Sequence, residues 1–122
     1  MHNFDVSYAE LNDKQREAVD HVNGPLLVVA GPGTGKTQLL SLRAAQILRK
    51  TDSNAANILC LTYTNKAAVN MKQRLMTLIG PEANAVTVKT FHSFAAEIIN
   101  DNPSHFWNGA TLRAIPETRQ LE

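Results

Sequence analysis

The sequence predicts an α/β domain in which strands of a parallel sheet alternate with helices. Short apolar runs rich in β-branched residues alternate with stretches in which apolar residues recur at helical spacing. Each helical stretch has the length, about 10–15 residues, of the crossover helix that joins two parallel strands. The chain has 122 residues, 43% hydrophobic and 19% charged, which is enough for one globular domain with a modest core.

The first half of the chain predicts a helix, a strand and a second helix. The first helix begins at Asn12, where Gln15 three residues later completes a variant of the capping box, and the sequence Asn-Gly-Pro at residues 23–25 ends it. Residues 26–30, Leu-Leu-Val-Val-Ala, are continuously apolar and predict a strand buried on both faces. After a glycine-rich turn, helical spacing resumes and continues to about Lys50.

The same alternation then repeats as a buried strand, an amphipathic helix, a short third strand and a last helix. In chain order these elements are predicted at residues 58–62, 67–79, 86–88 and 91–99. Gly80 and Pro81 close the first of these two helices, and the last helix ends before Pro103. Three strands form a small sheet with bare edges, so we expect either that further strands come from outside these residues or that another chain covers an edge.

Charge is unevenly distributed along the chain. Residues 1–30 carry five acidic and two basic side chains, whereas residues 31–95 carry eight basic and two acidic ones. The positive excess indicates either a phosphate-bearing partner or a solvated helix face. The apolar runs are far shorter than the roughly 18–20 residues of a membrane span, and we expect a cytoplasmic protein. The single cysteine, Cys60, is expected to be a small core residue.

The most specific chemical motif is Ala-Gly-Pro-Gly-Thr-Gly-Lys-Thr at residues 30–37, between the first predicted strand and the helix that follows it. Its glycines let backbone N–H groups converge on phosphates at the positive end of a helix. Lys36, the catalytic candidate, is placed to reach the β- and γ-phosphates, and the Thr37 hydroxyl is placed to coordinate Mg²⁺. The pattern is a P-loop and predicts a nucleoside triphosphate site. Its expected nucleotide contacts are Ala30, Gly31, Pro32, Gly33, Thr34, Gly35, Lys36 and Thr37.

Four short motifs follow one another along the chain. They are LNDKQREAV at residues 11–19, the P-loop, LTYTNKAA at residues 61–68 and KTFHSF at residues 89–94. In order and spacing they resemble the N-terminal part of superfamily I DNA helicases of the UvrD/Rep/PcrA type, over about residues 9–102. The resemblance implies a P-loop NTPase with a RecA-like parallel sheet flanked by helices, in an incomplete motor domain. It also implies ATP-driven DNA unwinding with 3′-to-5′ polarity.

The resemblance also implies roles for individual residues. Gln15 would read adenine, for which a side-chain amide is well suited, although a simple helix-capping role is the alternative. Tyr63 would stack on a base of single-stranded DNA, and an ordinary core position is its alternative. The remaining DNA contacts implied by the family, all near predicted helix starts, are Asn65, Lys66, Thr90 and His92.

Elements required for ATP hydrolysis are missing from the sequence. No Asp-Glu pair follows an apolar strand, and the arginines that a second motor domain would supply are not found. By the family's architecture, residues 1–102 would be the N-terminal part of the first RecA-like ATP-binding domain, and residues 103–122 would begin an inserted helical domain. We therefore expect a segment of a longer helicase.

The expected ligands of this segment are ATP, Mg²⁺, single-stranded DNA and duplex junctions, with no membrane partner. The rest of the helicase polypeptide would be its further partner. Two alternatives stay open at this point. They are a subunit of a RecB/AddA-type helicase-nuclease and a stand-alone nucleotide-binding module.

Overall fold

The computed structural model describes residues 3–30 and 35–105. In chain order the helices and strands are α1 (Asn3–Ala9), α2 (Asp13–Asp20), α3 (Lys36–Lys50), β1 (Leu59–Thr62), α4 (Asn65–Ile79), β2 (Thr87–Thr90) and α5 (Phe91–Asp101). Short 3₁₀ turns lie at Ala55–Asn57, Gly80–Ala85 and Pro103–His105. Within these ranges no helix is both long and apolar enough to cross a membrane.

Several helix ends are those that the sequence predicts. Asn12 caps α2, because its side-chain oxygen accepts a hydrogen bond of 2.8 Å from the Gln15 N–H. The Gln15 side chain accepts one of 2.9 Å from the Asn12 N–H, which confirms the capping box. Helix α4 ends at Gly80, whose φ of 76° and ψ of −152° are open to glycine and strained for other residues. Helix α1 was not predicted, because Phe4 is its one buried residue and gives no periodic pattern.

Strands β1 and β2 form a two-stranded parallel sheet within the described residues. Leu59 pairs with Thr87, and Thr62 pairs with Thr90. The parallel pairing through the crossover helix α4 confirms the predicted α/β class. Strand β1 is less buried than predicted, since Leu59 is 42% exposed and the other residues of the strand are half-buried.

The predicted strand at residues 26–30 is wrong. This segment pairs with no strand among residues 3–30 and 35–105, and Leu27 and Val29 are 88% and 91% exposed. Leu40 lines two grooves near this segment. The groove of about 220 Å³ is also lined by Val28 and Ala30 of the segment, and the groove of about 180 Å³ is also lined by residues of β1. An apolar run becomes a buried strand only where a neighbouring strand and a covering layer are present. The described part of the chain supplies neither to this segment.

The core forms where α3 packs against α4, in two apolar clusters. The buried members of the first are Ala44, Ala55, Met71, Leu75, Ala83 and Val86. The buried members of the second are Phe4, Val19, Leu42, Ala45 and Leu78. Helices α3 and α4 each contribute to both clusters and are therefore the central elements of the core. Cys60 is half-buried against the first cluster, and this burial raises the pKa of its thiol. None of the residues of α5 is buried, so its apolar stripe is not a core face within the described residues.

Folding brings the acidic ends of the chain onto its basic middle. The ion pairs are Arg49–Asp5 at 3.1 Å, Lys50–Asp20 at 4.0 Å and Lys89–Glu97. These contacts reduce the positive excess that the sequence offers to a phosphate-bearing partner. Lys36, Lys66 and Arg74 are all exposed.

Candidate functional site

The end of the P-loop is placed at the start of α3. Gly35 precedes the helix with φ of 72° and ψ of 40°, a left-handed conformation that favours glycine. Lys36 and Thr37 are the first two residues of α3, and both are exposed. The first intrahelical bond runs from the Leu39 N–H to the Gly35 carbonyl, at 3.0 Å. The N–H groups of residues 35–38, the first turn of the helix, thus have no partner within the helix and point toward its N-terminal side.

The remainder of the predicted loop is only partly described. Ala30 is half-buried and leads into it. The predicted contacts that lie outside the described residues are Gly31, Pro32, Gly33 and Thr34.

The side chains described at the start of α3 suit a Mg²⁺ ion that is bound together with phosphates. The described residues contain no cluster of three or more His, Cys, Asp or Glu side chains that could hold a metal ion. Mg²⁺ bound to a nucleotide commonly takes one or two protein oxygens and completes its shell with phosphate and water. The exposed Thr37 hydroxyl can be such a ligand, and Lys36 beside it can neutralise phosphate charge.

A polar cleft of about 390 Å³ opens beside Thr37 toward α4. Its lining residues are Thr37, Asn70, Gln73, Arg74 and Thr77. The four residues from α4 lie at helical spacing on one face, and Arg74 places a positive charge in the wall. Arg74 is not among the site residues predicted from the sequence, although the polar face formed by these spacings is visible in the sequence.

Ser41 fixes the first turn of α3 against α4. Its side chain is fully buried and donates a hydrogen bond of 2.7 Å to the Thr37 carbonyl. The same hydroxyl lies 3.0 Å from the Met71 sulfur, in the core between the helices. The position of Thr37 is thus tied to the helix that carries the cleft wall.

Helix α2, which carries Gln15, is held on α3 by a polar network around Asp20. The Tyr8 hydroxyl donates to one oxygen of Asp20 at 2.7 Å, and the Gln46 amide donates to the other at 2.8 Å. The bond from Tyr8 is the main reason that the pKa of Asp20 is lowered, with Gln46 and Lys50 adding to the effect. Helix α2 is therefore anchored next to the P-loop helix.

An apolar groove connects the Gln15 helix with the P-loop lysine. It has a volume of about 220 Å³, and its walls include Ala18, Lys36 and Leu39. Ala18 follows Gln15 by three residues and so lies on the same side of α2. An apolar groove that reaches the lysine of the predicted P-loop has a lining that suits a nucleobase.

Tyr63 lies at the carboxyl edge of the sheet and is 82% exposed. The core position considered for this residue is therefore wrong. Its ring centroid is 5.1 Å from that of Phe91, with the ring planes 45° apart. The Thr62 hydroxyl lies within hydrogen-bonding distance of the carbonyls of Thr64, at 3.2 Å, and Lys89, at 3.4 Å. These contacts hold the turn that carries Tyr63 against the end of β2.

The other predicted DNA contacts divide into exposed and buried residues. Asn65 and Lys66 are exposed in the first turn of α4, and His92 is exposed in the first turn of α5. Thr90 is only 6% exposed, and its side chain caps α5 by accepting a 3.1 Å hydrogen bond from the Ser93 N–H. The structure thus places Thr90 beneath the surface that Tyr63 and His92 occupy.

Comparison with known proteins relates this chain to DNA helicases. The sequence model of the UvrD/REP helicase N-terminal domain family matches residues 11–121. The chain is 44% identical over 89 residues to the ATP-dependent DNA helicase PcrA of Staphylococcus aureus, covering 73% of this chain and 12% of that protein. It is 44% identical over 113 residues to a probable DNA helicase II homolog of Rickettsia conorii, covering 93% of this chain and 17% of the relative. The chain thus spans 12% to 17% of the length of these relatives.

Proposed function

The chain belongs to the UvrD/REP helicase family, and from this we propose that it is the ATP- and single-stranded-DNA-binding N-terminal segment of an ATP-dependent DNA helicase. In the intact protein, ATP hydrolysis would drive translocation and unwinding with 3′-to-5′ polarity. Residues 1–102 would form part of the first RecA-like, P-loop ATP-binding domain, and residues 103–122 would begin an inserted helical domain.

The observation that carries this proposal is the exposed Tyr63 ring at the edge where both strands end. Tyr63 is 82% exposed and its ring contacts that of Phe91, which is 44% exposed, so the two rings present an aromatic surface on which a base can stack. Open α/β sheets bind ligands at the carboxyl ends of their strands. Single-stranded DNA supplies bases that stack on the ring and phosphates that Lys66 and His92 can contact.

At the nucleotide site, each residue has a distinct proposed task. Lys36 would neutralise charge on the β- and γ-phosphates, and Thr37 would contribute its hydroxyl to Mg²⁺. Arg74 would add positive charge from the cleft next to Thr37. Gln15 would hydrogen-bond the adenine edge while its side-chain oxygen also caps α2, which is allowed because an amide oxygen has two lone pairs. Bound Mg²⁺-ATP supplies the phosphoryl group whose transfer to water releases the free energy for movement.

The DNA part of the proposal is tested by Tyr63→Ala in the intact protein. We expect single-strand affinity to fall by about 1–3 kcal/mol, the usual range for a stacked base, and Tyr63→Phe to have little effect because the ring is kept. Val69→Ala is the matched control, since Val69 is a 56% exposed apolar residue of α4. An unchanged affinity in Tyr63→Ala, or an equal loss in the control, would contradict the proposal.

The nucleotide part is tested on the 122-residue chain. We expect it to bind Mg²⁺-ATP weakly in a calorimetric titration and to release no phosphate, because the carboxylates and arginines that hydrolysis requires are missing from it. Lys36→Ala should abolish the binding. DNA-stimulated phosphate release by this chain that depends on Lys36 would overturn the proposal that these residues bind ATP without hydrolysing it.

A further inference from the structure

The Tyr63 ring has one aromatic neighbour in the described part of the chain, Phe91. Their centroids lie 5.1 Å apart with a 45° angle between the ring planes, which is a favourable tilted arrangement. Both residues directly follow the last register pair of the sheet, Thr62 with Thr90. The ring pair therefore extends the sheet at its carboxyl edge.

The two rings differ in how firmly their backbones are held. Phe91 begins α5, and the Thr90 cap beneath it is buried, with its hydroxyl bonded to both the backbone and the hydroxyl of Ser93. Tyr63 lies in a turn and is 82% exposed, whereas Phe91 is 44% exposed. An exposed aromatic side chain without a neighbour samples several rotamers, and ordering it on binding reduces affinity. A ring mounted on a capped helix restricts that freedom.

We propose that Phe91 is a positioning residue that holds the Tyr63 ring in the orientation in which it stacks on a base. This inference rests on the proposed function, since it concerns the same DNA-binding edge. Phe91 acts through its contact with Tyr63, and Tyr63 makes the contact with the base. The tilt of the two ring planes leaves Tyr63 largely open to that base.

A double-mutant cycle in the intact protein tests the proposal, with fluorescently labelled oligothymidylate as the probe. Phe91→Leu keeps an apolar side chain of similar size but removes the ring, and we expect it to lower affinity about 2- to 10-fold. In the Tyr63→Ala background the same substitution should change affinity by less than about 2-fold, because the group that it positions is gone. Phe91→Tyr should restore the affinity of the original protein.

Ile98→Ala is the matched control. Ile98 lies on the same helix and is 41% exposed, close to the 44% of Phe91. We expect this control to leave single-strand affinity unchanged. Melting temperature and ATP affinity should be the same in Phe91→Leu as in the original protein.

Four results would overturn the proposal. Full additivity of Phe91→Leu and Tyr63→Ala would mean that Phe91 contacts DNA by itself. Parallel loss of melting temperature, ATP affinity and DNA affinity in Phe91→Leu would mean that the ring only packs. A full effect of Tyr63→Ala without any effect of Phe91→Leu would remove this inference and leave the proposed function standing. No effect of Tyr63→Ala would remove both.

Discussion

Substitutions at Gln15 separate two roles that one side chain is proposed to fill. In the structure, its amide oxygen accepts a 2.9 Å hydrogen bond from the Asn12 N–H and so completes the cap of α2. In the proposed function, the same amide reads adenine. Gln15→Ala removes both roles, and Asn12→Ala removes the reciprocal 2.8 Å bond of the cap but keeps the Gln15 amide. Gln15→Glu keeps an oxygen acceptor for the cap and loses the amide donor.

The expected magnitudes differ between stability and base selection. Each cap bond lies at an exposed helix end, so losing one should cost about 0.5–1 kcal/mol of folding free energy, and Asn12→Ala about 1 kcal/mol. An amide that reads the adenine edge contributes about 1–3 kcal/mol of discrimination, or roughly 5- to 150-fold in the ratio of ATP to GTP affinity. Gln15→Glu should keep the melting temperature, because a carboxylate in the first helical turn is favourable.

The assay is a calorimetric or fluorescent titration of each variant with ATP and with GTP, together with its melting temperature. The ratio of the two affinities cancels any repulsion between the carboxylate introduced by Gln15→Glu and the triphosphate, since both nucleotides carry the same phosphates. We expect the ratio to fall in Gln15→Ala and to stay the same in Asn12→Ala. Gln15→Glu should lower both affinities but keep the ratio, because it keeps the oxygen that faces the N6 donor of adenine or the O6 acceptor of guanine and loses only the donor to N7, which both bases share. An unchanged ratio in Gln15→Ala would show that Gln15 is a helix cap alone. An equal fall in Asn12→Ala would attribute the effect to fraying of α2.

Three further predictions concern charge, pH and backbone geometry. Lys66→Ala should reduce the slope of log single-strand affinity against log salt by up to about one unit, if Lys66 neutralises a DNA phosphate. Lys72→Ala is the control, because Lys72 instead donates hydrogen bonds to the carbonyls of Asn84 and Val86. Its loss should lower the melting temperature without changing that slope. The pKa of Asp20 is lower in the folded than in the unfolded protein, so its carboxylate adds stability above the unfolded pKa, and this stability is lost as pH falls through the folded pKa. The original protein should therefore lose more unfolding free energy between about pH 5 and pH 3 than Asp20→Asn does. An equal loss in the two proteins, measured by denaturant titration at each pH, would contradict this. Gly80→Ala should cost about 1–3 kcal/mol of stability because of its φ of 76°, even though nothing lies within 4 Å of the added carbon, and an unchanged denaturation midpoint would show that the turn relaxes.

The local elements of the fold follow from the sequence. The capping box at Asn12 and Gln15 and the end of α4 at Gly80 were predicted and are present. The parallel pairing of β1 with β2 was predicted in another way, from the order strand, helix, strand, which joins parallel strands by a crossover. Caps and helical periodicity depend on residues within about four positions of each other, so the chain carries their full determinants. The family membership is likewise a property of motif order and spacing, and the match over residues 11–121 confirms it.

The surroundings of each site residue were decided by tertiary structure. The exposure of Tyr63, its pairing with Phe91 and the position of Arg74 beside Thr37 depend on how separate elements approach each other. Residues 26–30, where the predicted strand is not found, show the same dependence. An apolar run makes burial favourable, but it does not supply a partner strand. Contacts between distant segments are set by the packing of whole helices and strands, which no local pattern encodes. For that reason the sequence identified the candidate residues, and the tertiary structure determined which of them are exposed to a ligand.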